Sequence, residues 1–123
     1  MQVLDDPAAN LVRSLCELMV PGSARVGPEV YVDALLAHMP EAERSATLAA
    51  FAALAPVADS PEALAQRALT PEFMLVRALA CEAFYSDFVA PGAAGPGAYE
   101  EIDFTIPLAA RVKKDWSYLG VTE

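Results

Sequence analysis

Four times in this chain a proline is followed directly by a glutamate where an apolar, helix-periodic segment begins: Pro28-Glu29, Pro40-Glu41, Pro61-Glu62 and Pro71-Glu72. Proline suits the first helical turn because the N–H it lacks has no partner there, and glutamate in that turn meets the positive end of the helix dipole. Ser60 and Thr70 stand where an N-cap hydroxyl is wanted, and Asp6-Pro7 makes a fifth start of the same kind. No strand-rich region capable of building a sheet accompanies these starts. The expected fold is therefore all-α: a small bundle of about five helices around a central apolar helix, with an irregular aromatic C-terminal tail. The expected division is a helical domain over residues 1–88 and a tail over 89–123 that packs on the helices, on a partner, or on both.

The apolar spacing assigns each helix a buried side. Residues 7–19 carry Ala8, Leu11, Val12, Leu15, Cys16, Leu18 and Met19 on one broad stripe, with Arg13 and Glu17 outside, and Val20-Pro21-Gly22 stops them. Residues 28–38 place Tyr31, Ala34, Leu35 and His38 together, residues 41–55 use Leu48, Phe51, Ala52 and Leu54 among alanines, and residues 61–69 form a short connector. The fifth helix, expected over 71–88, differs from the others. Its charges Glu72, Arg77, Glu82 and Asp87 recur every fifth residue and point in four directions, which leaves no polar face. Such a helix is central: other elements or another subunit must wrap it, and Arg77 and Glu82 must find partners or reach an edge.

Composition narrows the function classes. At 123 residues the chain suits one domain, large enough to bury roughly two-thirds of its unfolded surface. Apolar residues make up 55%, but 25 of the residues are alanines, which add little packing volume. A net charge of −9 with only eight basic residues argues against nucleic acid, whose phosphates call for a Lys/Arg surface. The one basic cluster, Arg111, Lys113 and Lys114, is followed at once by Asp115 and reads as a solvated face or an ion pair. The longest uncharged run, Ser45 to Ala58, is short of the roughly twenty residues that span a bilayer, so direct membrane insertion is not expected. No signal peptide is visible, so a cytoplasmic chain is expected. Cys16 and Cys81 are too few for a disulfide framework and read as buried free thiols.

Catalytic equipment is sparse. His38 is the single histidine, and it sits at a helix C-terminus where the dipole favours an imidazolium. Gly92, Gly95 and Gly97 follow a helix instead of a strand and lie among Pro91 and Pro96, which is no phosphate loop. Glu100, Glu101 and Asp103 lack the spacing of a cation site and read as an acidic edge. No catalytic, cofactor or metal residues are expected in this chain. Residues 101–106 alternate as an extended segment would, and 108–114 suit one or two helical turns.

What remains is aromatic. Seven of the ten aromatic side chains lie between Phe84 and Tyr118. Tyrosine and tryptophan combine large apolar area with a polar tip and dominate interface hot spots. The candidate partner-binding residues are Tyr85, Phe88, Tyr99, Phe104, Lys113, Trp116 and Tyr118, with packing against the central helix as the competing use.

Several segments, taken in order, resemble the small helical subunit, subunit 3 or gamma, of flavin-dependent sugar dehydrogenases of the gluconate 2-dehydrogenase type. They are Leu15-Cys16-Glu17-Leu18-Met19-Val20-Pro21, Tyr31-Val32-Asp33-Ala34-Leu35-Leu36, Ala83-Phe84-Tyr85-Ser86-Asp87 and Trp116-Ser117-Tyr118-Leu119-Gly120. The resemblance implies a noncatalytic accessory subunit that binds and stabilises a large flavoprotein catalytic subunit of the glucose-methanol-choline (GMC) type, with FAD in the partner and none here. Relatives commonly carry a twin-arginine export signal on this subunit; none is visible here, so the expectation is an intracellular complex unless the signal lies on the partner. The alternative is a stand-alone helical homodimer or a domain that binds a small apolar ligand between the central helix and the tail.

Overall fold

The structure, a computed structural model, describes residues 1–101 and 119–120, and among these it is all-helical. Helix α1 runs Asp6–Met19, α2 Pro28–His38, α3 Glu41–Leu54, α4 Pro61–Ala65, α5 Pro71–Tyr85 and α6 Ala98–Glu101, with 3₁₀ turns at Ser23–Val26 and Ala55–Val57. No helix among the described residues is long and apolar enough to cross a membrane.

The proline starts work as their chemistry requires. The Asp5 carboxylate accepts the Ala8 N–H at 2.9 Å, the Ser60 hydroxyl that of Ala63 at 3.2 Å, and the Thr70 hydroxyl that of Phe73 at 3.3 Å, so three helices open on a side-chain cap. Helix α2 begins differently. Gly27 stands before Pro28 with φ +71°, and a Cβ there would lie 2.7 Å from that of Ala90, so the position takes glycine for both backbone and space. The carbonyl end of α2 is closed by Arg44 of α3, which donates to Leu36 O at 2.8 Å and Met39 O at 3.1 Å. The positive group that serves this helix end is thus a guanidinium reaching back from the next helix. His38, in the last turn of α2, is exposed.

Helix α5 is the hub: α1, α2, α3, α6 and the Ser23–Val26 turn all pack on it. Its inner face is Val76, Leu79, Ala80, Ala83 and Phe84, and the small residues Ala80 and Ala83, both fully buried, let neighbouring backbones come close. Around it stand Val12, Leu15 and Cys16 from α1, Val32 and Leu36 from α2, and Phe51 and Leu54 from α3. Sequence spacing located most of this core and erred in detail. Helix α2 also buries Val32, Asp33 and Leu36, whereas in α3 Thr47 and Ala50 are inside and Ala52 is exposed. Helix α4 stops at Ala65, earlier than periodicity suggested.

Helix α5 ends at Tyr85, three residues before the expected limit. Asp87 takes φ +64°, a left-handed conformation that turns the chain back and drives Phe88 into the core. Phe88 meets Tyr31 edge to face, ring centroids 5.1 Å apart, in a second cluster with Ala34, Ala83, Ala90 and Leu119. The stretch after residue 88, expected to be an irregular tail, is therefore partly core: Ala90, Ala98 and Leu119 are buried and 98–101 is helical, including Glu101, which had been assigned to an extended segment. Residues 102–118, with the extended and helical turns expected there, lie outside the described residues.

Phe88→Ala is expected to cost about 3–5 kcal/mol, the usual range for emptying a buried phenylalanine site, whereas Tyr85→Ala should change stability by no more than about 1 kcal/mol. Urea unfolding midpoints of the two variants against the parent test this directly.

Candidate functional site

Four charged residues were expected to leave α5 without a polar side, and packing has divided its surface unevenly. Met74 is 62% exposed, Leu75 39% and Tyr85 60%, and Leu69 just before the helix is 94% exposed. Ala78 lies among them at the surface, and Cys81 is half-buried. A shallow depression of about 380 Å³ runs over this face, lined by Leu69, Phe73, Met74, Arg77, Ala78 and Cys81 among others. Both charges reach an edge: Arg77 and Glu82 are exposed, and Glu82 accepts the hydroxyl of buried Tyr31 at 2.9 Å. The central helix is wrapped on its inner side and open on its outer one.

The candidate aromatics separate. Tyr85 is at the surface, its ring edge-on to Phe84 with centroids 5.2 Å apart. Phe88 is fully buried, so its ring is a core element and unavailable as a surface anchor. Tyr99 is half-buried against the core, and its backbone N–H donates to Asp87 Oδ1 at 3.1 Å. Phe104, Lys113, Trp116 and Tyr118 lie outside the described residues, as do Asp103, Arg111 and Lys114.

Several polar residues that periodicity could not single out hold this region. Asp87 is buried, and a Cβ at Gly97 would come within 2.5 Å of its Oδ1, so glycine there leaves room for the carboxylate to reach Tyr99. Arg25 stands 5.2 Å over the Phe84 ring and donates from Nε to Pro96 O at 2.9 Å, while its own carbonyl accepts the Gly95 N–H at 3.0 Å. The Ala90 N–H adds a bond to Val26 O at 2.8 Å. The glycine-proline loop is thus stitched to the Ser23–Val26 turn.

A second construction centres on the middle of α2. Asp33 is buried, and its two oxygens accept three backbone N–H groups: Gln2 on Oδ2 at 2.9 Å, and Val3 and Leu4 on Oδ1 at 2.9 and 2.8 Å. Burial alone would push this carboxyl up. The N–H groups of Leu4, Gln2 and Val3, with the nearby amino group of Met1, outweigh it and hold Asp33 below the ordinary carboxylate value. Beside it opens a cleft of about 420 Å³ lined by Met1, Gln2, Val30, Ala34, Pro91 and Leu119 among others. Among the described residues Asp33 is the carboxylate that lines it, and backbone N–H groups occupy both its oxygens, which makes it an anchor for the N-terminal segment and a poor base.

Both cysteines are free. Cys16 is fully buried, and its thiol is pushed up to about 12, first by burial and then by the negative charges of Glu29, Cys81 and Glu17. Cys81, expected to be buried as well, is only half so. Among the described residues no group of three or more His, Cys, Asp or Glu side chains is placed to hold a metal ion. Comparison with protein-family models, with curated proteins and with solved structures gave no match.

Two outcomes are expected. Iodoacetamide at pH 8 should label Cys81 in the folded protein and reach Cys16 only after denaturant is added, as read by mass spectrometry. Asp33 has a lowered folded value, so its contribution is present above the unfolded carboxylate value of about 3.9 and is lost as pH falls through the folded one. Acid should therefore lower the urea midpoint of the parent more than that of Asp33→Asn, which begins lower at pH 7. Equal acid slopes would remove the carboxylate from this role.

Proposed function

We propose that this chain is a noncatalytic small subunit that binds and stabilises a flavin-dependent sugar or alcohol dehydrogenase or oxidase of the GMC type, the FAD being held by the large partner. The observation that supports it is the open outer face of the central helix, where Leu69, Met74 and Tyr85 stay in solvent while its other side is buried. Large apolar side chains grouped on one surface are normally covered by a partner.

One of the two segments on which the family resemblance is strongest fits the same reading. Of Ala83, Phe84, Tyr85, Ser86 and Asp87, the residues Ala83, Phe84 and Asp87 are buried, whereas Tyr85 is directed outward. A motif that divides in this way supplies its own support and leaves one aromatic available as an anchor. Tyrosine does this well, because its ring gives large contact area for little conformational entropy and its hydroxyl tolerates a wet rim.

Co-expression with a GMC-type flavoprotein from the same genome, followed by affinity capture, tests the reading. Recovery of a stable complex containing flavin is expected, and Tyr85→Ala should weaken it about tenfold, the effect of a modest hot spot, with the melting temperature of the small chain nearly unchanged. Trp116→Ala should likewise reduce the complex with little loss of helicity. A small chain that elutes alone while the flavoprotein stays soluble and active would overturn the proposal.

A further inference from the structure

The open face of α5 carries a register. Met74, Ala78, Cys81 and Tyr85 follow one another at intervals of four, three and four residues, the d-a-d-a spacing of a two-stranded helical seam. At about 100° per residue these four positions fall within an arc of about 60°. All four are at least partly accessible, and Met74 and Tyr85 at the two ends are more than half exposed. The middle pair is an alanine and a cysteine, small enough for another backbone to come close, while the bulky pair stands at the ends.

The flanks of the seam are charged with opposite signs. In the same register Arg77 is the g position before Ala78, and Glu82 is the e position after Cys81. Both are exposed, and among the described residues Arg77 has neither a hydrogen-bond nor an ion-pair partner. Glu82 has one oxygen engaged by Tyr31. In a parallel pair related by a two-fold axis along the helices, a g residue lies beside the e residue of the other chain five positions on, and e/g charges of this kind set orientation. Arg77 would thus meet Glu82 of the second copy, and the symmetry repeats the contact on the other side. An antiparallel pair would set Arg77 beside Arg77 and Glu82 beside Glu82. The charges are thus complementary to a second copy of the chain and set its direction.

We infer that the outer face of α5 pairs with the same face of a second copy of this chain, parallel and about a two-fold axis. The seam is short, two heptads with Leu69 and Leu75 at its margin, so the contact belongs with small interfaces, and association depends on concentration. The inference does not rest on the flavoprotein reading. A large partner that covers Tyr85 would compete with the pairing, and the two associations can be measured separately.

Sedimentation equilibrium of the purified chain is the first test. The apparent mass should rise from 13.0 kDa towards twice that value as concentration goes from micromolar to millimolar. Ala78→Glu places a charge at the centre of the seam on an exposed site, and it should hold the chain at the monomer mass with an unchanged helical spectrum. Arg77→Glu and Glu82→Arg should each weaken self-association, and mixing the two variants should restore it as a heterodimer.

Orientation is read by cross-linking. In a parallel seam the two Cys81 thiols face each other across the axis, at a separation a disulfide can span. Diamide, which accepts the two electrons and two protons released, should link Cys81 to Cys81 in the parent, as shown by peptide mapping, and Cys81→Ser should abolish the link. A monomer at all concentrations overturns the inference. So does a dimer that Ala78→Glu leaves intact, or an Ala78→Cys variant that links Cys81 to position 78 of the other chain in preference to Cys81, which is the antiparallel pattern.

Discussion

The structure depends on covering the inner face of one helix. Val76, Leu79, Ala80, Ala83 and Phe84 of α5 form the surface on which α1, α2 and α3 converge. Helices of eleven to fifteen residues are marginal in water on their own, so tertiary packing of an apolar side supplies most of their stability. The alanine content gains its meaning here. Ala80 and Ala83 add little apolar area, but they permit close approach, and larger chains such as Leu15, Leu36 and Leu54 fill the space between. A chain with 25 alanines can build a sound core when the small residues sit at the crossings.

Around that apolar centre, buried polar groups fix what packing leaves free. Asp33 ties down residues 2–4, Arg44 closes the end of α2, the Ser23 hydroxyl bonds to Cys16 O at 2.9 Å at the end of α1, and Asp87 holds the start of α6. Each joins a side chain to backbone groups that would otherwise be left without partners at a helix end or a chain reversal. Non-directional burial sets which faces meet. These bonds set where the chain turns.

The helical architecture was legible because it rests on local signals: proline starts, capping hydroxyls and apolar spacing. The centrality of α5 was legible from its unsegregated charges. What sequence could not supply was the partition of that helix into a covered and an open side, since Met74 and Leu79 look alike to any pattern and differ only in what lies opposite. The polar clasps escaped for a related reason. Asp33 sits between Val32 and Ala34 with no local partner, and its bonds run to residues about thirty positions away. Asp87 was read as one more helical charge, although its left-handed backbone is what ends the helix and sends Phe88 inward. Of the aromatic tail, Tyr85 kept a surface role in the proposed function, and Phe88 did not.

The stitching of the glycine-proline loop has a consequence for how this part of the molecule breathes. Arg25 holds the loop through its guanidinium and its carbonyl together while its cation rests on a core phenyl ring, and Ala90 is bonded directly to Val26. A segment whose composition suggests a flexible linker is thereby fastened to the same residues that line the interior. Its opening is coupled to loosening of Phe84 and Phe88, so it moves with the core it is fastened to and not as a free linker.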